Sequence, residues 1–193
     1  DKTDEFILPA SKEGYQGINE NDKILMLNYR TDRIIQLTKA FSDKNFDSFE
    51  TKKIKVKVFS MTNYEDKQPV DELFSALDLS KDVIQGNKSL CEQLNEKGLR
   101  QLRVAETEKY AHITYFFNGG RKEPTELENY ELVESKKVET YDESPEMSAK
   151  EIVDKVIEKN PSDYDFILVN FANPDMLGNT GKLDETILAL ENL

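Results

Sequence analysis

The stretch AETEKYAHITYFFNGGR, residues Ala105–Arg121, follows a short apolar run, Leu102–Ala105, of strand character. Thr107 is placed to cap a helix beginning at Glu108. Tyr110, Ile113, Phe116 and Phe117 then recur at helical spacing. Gly119-Gly120 ends such a helix because glycine takes a left-handed backbone without strain. The β-branched and aromatic content of HITYFF also suits a strand. On the strand-then-helix reading, Lys109 stands at the carboxyl end of a sheet strand beside a helix N-terminus. Open α/β sheets collect anionic ligands there. The plainer reading is a lysine salt-bridged to its neighbours Glu106 and Glu108.

Upstream, Ile24–Tyr29 (ILMLNY) is a continuous apolar run, the pattern of a strand covered on both faces. Arg30-Thr31-Asp32-Arg33 follows directly. Ile34, Ile35, Leu37 and Phe41 then recur as one face of a helix. Arg30 and Arg33 therefore fall at a strand-to-helix turn, on one side of the first helical turn. Two guanidinium groups there suit bidentate capture of a phosphate and a carboxylate. The plainer reading is two surface arginines paired with acids. Ile54–Phe59 (IKVKVF) alternates as a half-buried strand near a sheet edge. Pro69-Val70-Asp71-Glu72 opens a short helix through Leu77. Residues 78–87 are polar, contain Gly86 and lack periodicity, which places a domain boundary there. The expected units are 1–80 and 81–193.

Ser89–Lys97 reads as a helix with Gly98 just past it. Beyond the central stretch, Lys122–Asn129 reads as a solvated charged loop, and Glu131–Glu146 as loop with Pro145. Ser148-Ala149-Lys150-Glu151 has capping-box spacing, with Ile152, Val153, Val156 and Ile157 behind it as an apolar stripe. Asn160-Pro161 ends that helix. Phe166–Phe171 (FILVNF) reads as a second buried parallel strand, running into a turn at Ala172–Asn179. A last helix starts near Leu183, its first turn carrying Asp184 and Glu185. Strands and helices alternate, so the fold class is α/β.

A chain of 193 residues can bury one core or two small ones, and its 33% charged residues make a polar surface. A formal net charge of -12 argues against nucleic acid or an anionic membrane as partner. It leaves room for a local basic pocket. One cysteine, Cys91, allows no internal disulfide and suits a reducing, cytoplasmic setting. Its helical position reads as a buried structural thiol. No signal peptide or membrane-length apolar run is evident. Both ends read as cuts in a longer chain, since the last helix stops without a cap.

Asp175 follows a buried strand by a few residues. A carboxylate there suits a divalent metal, or it organises the loop as an Asx turn. His112 is the single histidine, so a multi-histidine metal cluster cannot come from this chain alone. It reads as a packed residue. No nucleophile elbow or P-loop is present.

Taken together, these segments resemble the cofactor-independent phosphoglycerate mutase family. The resemblance rests on Thr3-Asp4-Glu5-Phe6, Asn28–Arg33, Ala105–Lys109 with Phe116–Arg121, Lys137-Val138 with Thr140-Tyr141-Asp142, Pro145–Ser148 and Asn170–Met176 with Gly178, all in the family's order. It implies part of a phosphotransferase α/β domain followed by part of an alkaline-phosphatase-like domain. It implies an isomerase of glycolysis that interconverts 3- and 2-phosphoglycerate through a phosphoserine on two manganese ions, in a protein that is a monomer at full length. By that resemblance Arg30, Thr31, Asp32 and Arg33 bind the phosphoglycerate. Lys109 is a catalytic and substrate-binding residue reaching the transferred phosphate, and Asp175 ligates one manganese. Asn179 stands where the family has a histidine ligand, and an amide oxygen is the poorer donor to such an ion. The serine and the other ligands lie in parts of the family chain beyond these residues. The expectation is therefore an internal segment, inactive alone. The alternative is a non-catalytic anion-binding relative without the metal site. The paired motifs disfavour a related metal-dependent phosphatase or phosphopentomutase.

Overall fold

The computed structural model describes residues 3, 6–52, 54–65, 67–74 and 88–193. The chain forms two compact units, Ala10–Asn87 and Lys88–Leu193, the latter joined by Asp1–Pro9. The expected boundary at 78–87 lies outside the described residues. Among the described residues, no helix is long and apolar enough to cross a membrane.

In the first unit, β1 (Lys23–Met26), β2 (Lys57–Ser60) and β3 (Asp71–Glu72) form a parallel sheet in the order β1-β2-β3. Helix α1 (Ile34–Ser42) lays Ile34, Ile35 and Phe41 against Met26, Val58 and Tyr64. Four sequence expectations change here. The run 24–29 is not a strand covered on both faces, because Leu25 and Leu27 are 48% and 76% exposed. The alternating strand is central rather than at an edge, and Leu37 is exposed while Thr38 takes the buried position. The Thr38 hydroxyl makes this possible by donating to the Ile34 carbonyl at 2.7 Å, which satisfies a polar group inside an apolar contact. Finally, Asp71-Glu72 extend the sheet instead of opening a helix. The rest of that expected helix, 75–77, lies outside the described residues.

The second unit is built on β4 (Gln101–Glu106), flanked by β5 (Glu128–Val133) and β6 (Phe166–Asn170), all parallel. All six β4 residues are buried. Helix α2 (Leu90–Glu96) precedes it, closed by a capping box between Ser89 and Glu92, with Cys91 buried inside. Helix α3 (Thr107–Ala111) follows β4 at once and continues as a wider, π-helical turn, His112–Phe116. The strand reading of HITYFF is therefore set aside. Thr107 is not the cap but the first helical residue, and its hydroxyl accepts the Ser135 N–H at 3.1 Å.

Helix α4 (Ala149–Glu158) covers one face, placing Ile152 and Val156 on Leu102, Val104 and Val133. Val153 and Ile157 of the expected stripe are instead exposed. Ser148 precedes α4 without capping it, because its hydroxyl donates to the Glu134 carbonyl at 2.9 Å. Helices α5 (Asn173–Thr180) and α6 (Leu183–Glu191) complete the unit. The residues after β6, expected as a turn, are the first of these helices: Pro174 lies in its first turn, where a missing N–H costs nothing. Gly181 ends α5 at φ +70°, and a Cβ there would stand 2.5 Å from Thr3 Cγ2. The Thr3 hydroxyl donates to the Thr180 carbonyl at 2.6 Å, tying the N-terminal segment to that helix end.

The segment expected as a charged loop supplies the acid of a fully buried ion pair. Glu128 opens β5 with its side chain fully buried, as is that of Arg103 on β4. The Glu128 carboxylate accepts from Arg121 Nη2 at 2.7 and 3.0 Å and from Asn95 Nδ2 at 2.7 Å. Arg103 approaches it to 3.7 Å and lies between the rings of Phe117 and Tyr130, at 4.7 and 5.0 Å from their centroids. Burial alone would raise the Glu128 pKa. The bonds from Arg121, Tyr130 and Asn95 outweigh it and hold the group at about 2.

Candidate functional site

The site forms where β4 and β6 end and α3 and α5 begin. Strand β4 delivers the chain into α3, so Lys109 lies one turn into a helix at the carboxyl edge of the sheet. Strand β6 does the same for α5, which carries Asp175 in its first turn. Lys109 is 8% exposed, and its ammonium donates to Asp175 Oδ2. Of the two expectations for this lysine, pairing with Glu106 or Glu108 is thus replaced by a partner 66 residues away. Asn179 follows Asp175 by one helical turn. Its Nδ2 donates to Asp175 Oδ1 at 3.1 Å and to the Asp175 carbonyl at 2.8 Å.

At the end of β4 and the start of α5 lie two buried polar side chains whose needs are only partly met. Glu106 is fully buried at the end of β4 and accepts the Ser135 hydroxyl at 2.9 Å through Oε2. Its Oε1 has no hydrogen-bond donor, and burial pushes its pKa up. Asn173 is also fully buried; its Nδ2 donates to the Pro145 carbonyl at 2.9 Å while its Oδ1 has no donor. His112 is half-buried with its ring 5.4 Å from that of Phe116, the packed position expected of it.

In the other unit, Arg30 to Arg33 occupy the turn between β1 and α1. Arg30 is an exposed side chain whose Nε and Nη2 both lie 3.0 Å from Asp32 Oδ2. Arg33 is the exposed residue immediately before α1, and Thr31 is half-buried. The turn therefore presents cations already balanced in part by Asp32.

Comparison with known proteins gives this arrangement a setting. A sequence model described as the Metalloenzyme superfamily matches residues 84–193, and one described as the BPG-independent PGAM N-terminus matches residues 1–66. A 2,3-bisphosphoglycerate-independent phosphoglycerate mutase of Sulfurimonas denitrificans is 47% identical over 192 residues, 100% of this chain and 38% of that protein. One from Clostridium novyi is 42% identical over 197 residues, 100% of this chain and 37% of that protein. Among solved structures, Leishmania mexicana phosphoglycerate mutase at low cobalt concentration matches with a TM-score of 0.67 and 32% identity, covering 91% of this chain and 32% of that one.

A parallel α/β sheet with acid and lysine at its carboxyl edge, matched in this way, puts the chain in the Metalloenzyme superfamily. Within it, the chain belongs to the family of the 2,3-bisphosphoglycerate-independent phosphoglycerate mutases. It spans under two fifths of the length of those curated relatives, 38% and 37%.

Membership implies a divalent metal, and the donors present can be tested against it. Asp175 and Asn179 supply one carboxylate and one amide. Both carboxylate oxygens already accept hydrogen bonds, and the Asn179 amide turns its nitrogen toward them. Among the described residues, no group of three or more His, Cys, Asp or Glu side chains is gathered for a metal. Divalent ions of this kind take four to about eight donors. The described residues do not make a complete metal site by themselves.

Proposed function

We propose that the protein to which this sequence belongs interconverts 3-phosphoglycerate and 2-phosphoglycerate, with manganese as its metal, through a phosphoserine. In this reading Lys109 places its ammonium on the transferred phosphate. Arg30 and Arg33, oriented by Asp32 and flanked by Thr31, hold the glycerate part of the substrate. Asp175 and Asn179 contribute two of the metal's donors, and the 193 residues alone are inactive. The carrying observation is the buried Lys109 ammonium on Asp175 at the carboxyl edge of a parallel sheet. A buried cation in a low-dielectric setting stabilises phosphoryl charge far more than an exposed one. The proposed setting is a cytoplasmic monomer that binds neither nucleic acid nor membranes.

The second reading is a non-catalytic relative that keeps the anion-binding groups without the metal. It is favoured by the Asn179 amide, whose nitrogen is engaged with Asp175. One assay separates the two. The protein expressed from its complete reading frame is supplied with 3-phosphoglycerate and manganese, and 2-phosphoglycerate is followed. Turnover that Lys109→Met lowers by at least a hundredfold, about 3 kcal/mol of transition-state stabilisation, supports the mutase. No turnover supports the second reading. Turnover by the 193 residues alone overturns the claim that they are incomplete.

A further inference from the structure

The short helical turn Tyr141–Glu143 lies between the helix that carries Lys109 and the helix that carries Asp175. Its Tyr141 hydroxyl donates to Glu108 Oε1 at 2.9 Å, and Glu108 is the residue directly before Lys109. The Tyr141 ring packs on the cluster of Met147, Ala172, Met176, Leu177 and Ala189. Met176 and Leu177 directly follow Asp175 on α5. Two further ties hold the same segment to α5 and its C-terminal side. The Asn173 amide donates to the Pro145 carbonyl at 2.9 Å, and the Lys182 ammonium donates to Asp142 Oδ2.

We propose that Tyr141 is a positioning residue for Lys109: one side chain, bonded to the lysine's helix and packed on the acid's helix, fixes the approach of the ammonium to Asp175. The assignment rests on Lys109 being the phosphate-reaching group proposed above. Helix α3 is only five residues long and passes straight into a π-helical turn, so its own hydrogen bonds hold it weakly. An external tie is what such a turn needs. Removing it leaves Lys109 in place on average and widens the range of positions it visits. Burial, with the Glu108 bond second, lifts the Tyr141 pKa to about 12, so the phenol remains a donor throughout the neutral range.

The test uses no substrate, so its failure is distinguishable from failure of the mutase reading. The protein is acylated at one fixed pH with an amine-reactive reagent, and the rate at each lysine is read by mass spectrometry. Tyr141→Phe keeps the ring and removes the hydroxyl. It is expected to raise the rate at Lys109 about ten- to a hundredfold, in line with loss of one bond to a charged acceptor, and to leave Lys159 unchanged. Glu108→Ala is expected to raise the Lys109 rate as well, and Tyr141→Phe added to it to raise it no further, because both remove the same bond. An unchanged Lys109 rate in Tyr141→Phe overturns the proposal. So does an equal rise at Lys159, or a Tyr141→Phe effect that persists in full without the Glu108 side chain.

Discussion

Replacing Glu128 by Gln removes the negative charge from a site holding two guanidinium groups. Arg103 is fully buried, so its charge would lose its only close carboxylate among the described pairs. Arg121 is one third exposed and can turn toward water. Breaking a buried pair by removing one partner costs about 3–5 kcal/mol. The carboxylate's own titration gives a second measure. It falls from an ordinary 4.5 to about 2, which is about 3 kcal/mol at roughly 1.4 kcal/mol per unit, trimmed to about 2 by solvent at Arg121. Both figures point to a loss of about 2–4 kcal/mol. Hydrogen exchange localises it, because β4 and β5 belong to one unit while β1 and β2 belong to the other. Glu128→Gln is expected to speed exchange of β4 and β5 amides by about thirty- to a thousandfold at pH 7, leaving β1 and β2 as the control. The pH dependence has a definite sign. A carboxylate with a lowered folded pKa contributes fully above 4.5, and the contribution is lost as pH falls toward 2. The gap between wild type and variant must therefore close across that window. No acceleration in β4, equal acceleration in β1, or a gap that widens in acid refutes the reasoning.

Glu106 has the opposite sign. Burial raises its folded pKa, so the fold prefers the protonated form and stability is lost as pH rises from about 4.5. Glu106→Gln is expected to unfold at a higher temperature than wild type at pH 7, with the difference vanishing near pH 4 in a thermal melt. Asn179→His, in the protein from its complete reading frame, is expected to tighten manganese binding about ten- to a hundredfold by calorimetric titration, since imidazole replaces an amide at a donor position. Gly181→Ala meets a left-handed φ of +70° and Thr3 Cγ2 at 2.5 Å. It is expected to cost about 1–2 kcal/mol, and Gly181→Ala with Thr3→Ala less than Gly181→Ala alone, measured by urea unfolding.

Much of the fold was legible in local pattern. Apolar runs mark β4 and β6, and helical spacing marks α1 and α4, because burying one face imposes that spacing. Strand β5 was not legible, since ENYELV opens with a charge whose counter-ions, Arg103 and Arg121, come from elsewhere in the chain. Helix α5 was hidden by Asn173, Pro174 and Gly178, turn formers that here serve a helix start and, at Gly178, an exposed helical position with open space around it. At the site, spacing put Lys109 near a helix start and Asp175 near a strand end. Neither spacing nor composition joins residues separated in sequence by two strands and a helix, and the pairing of the two is a product of β4 and β6 lying side by side in the parallel sheet. Tyr141 entered only through the Thr140-Tyr141-Asp142 match and carried no signal of its place beside Lys109, because that depends on what stands on either side of it.

The widened turn at His112–Phe116 has a use beyond shape. It leaves the Ile113 carbonyl in reach of Arg103 Nη1, at 3.2 Å. A π-type turn is an α-helix with one residue added, so excising a single position there would let the helix close and rotate everything after it by about 100°. Phe117 would swing off the Arg103 guanidinium and Asn118 off its hydrogen bonds to Arg103 and Tyr130. A one-codon deletion within 112–116 would thus disturb contacts that lie outside the segment itself, so its length carries a constraint separate from the identity of its side chains.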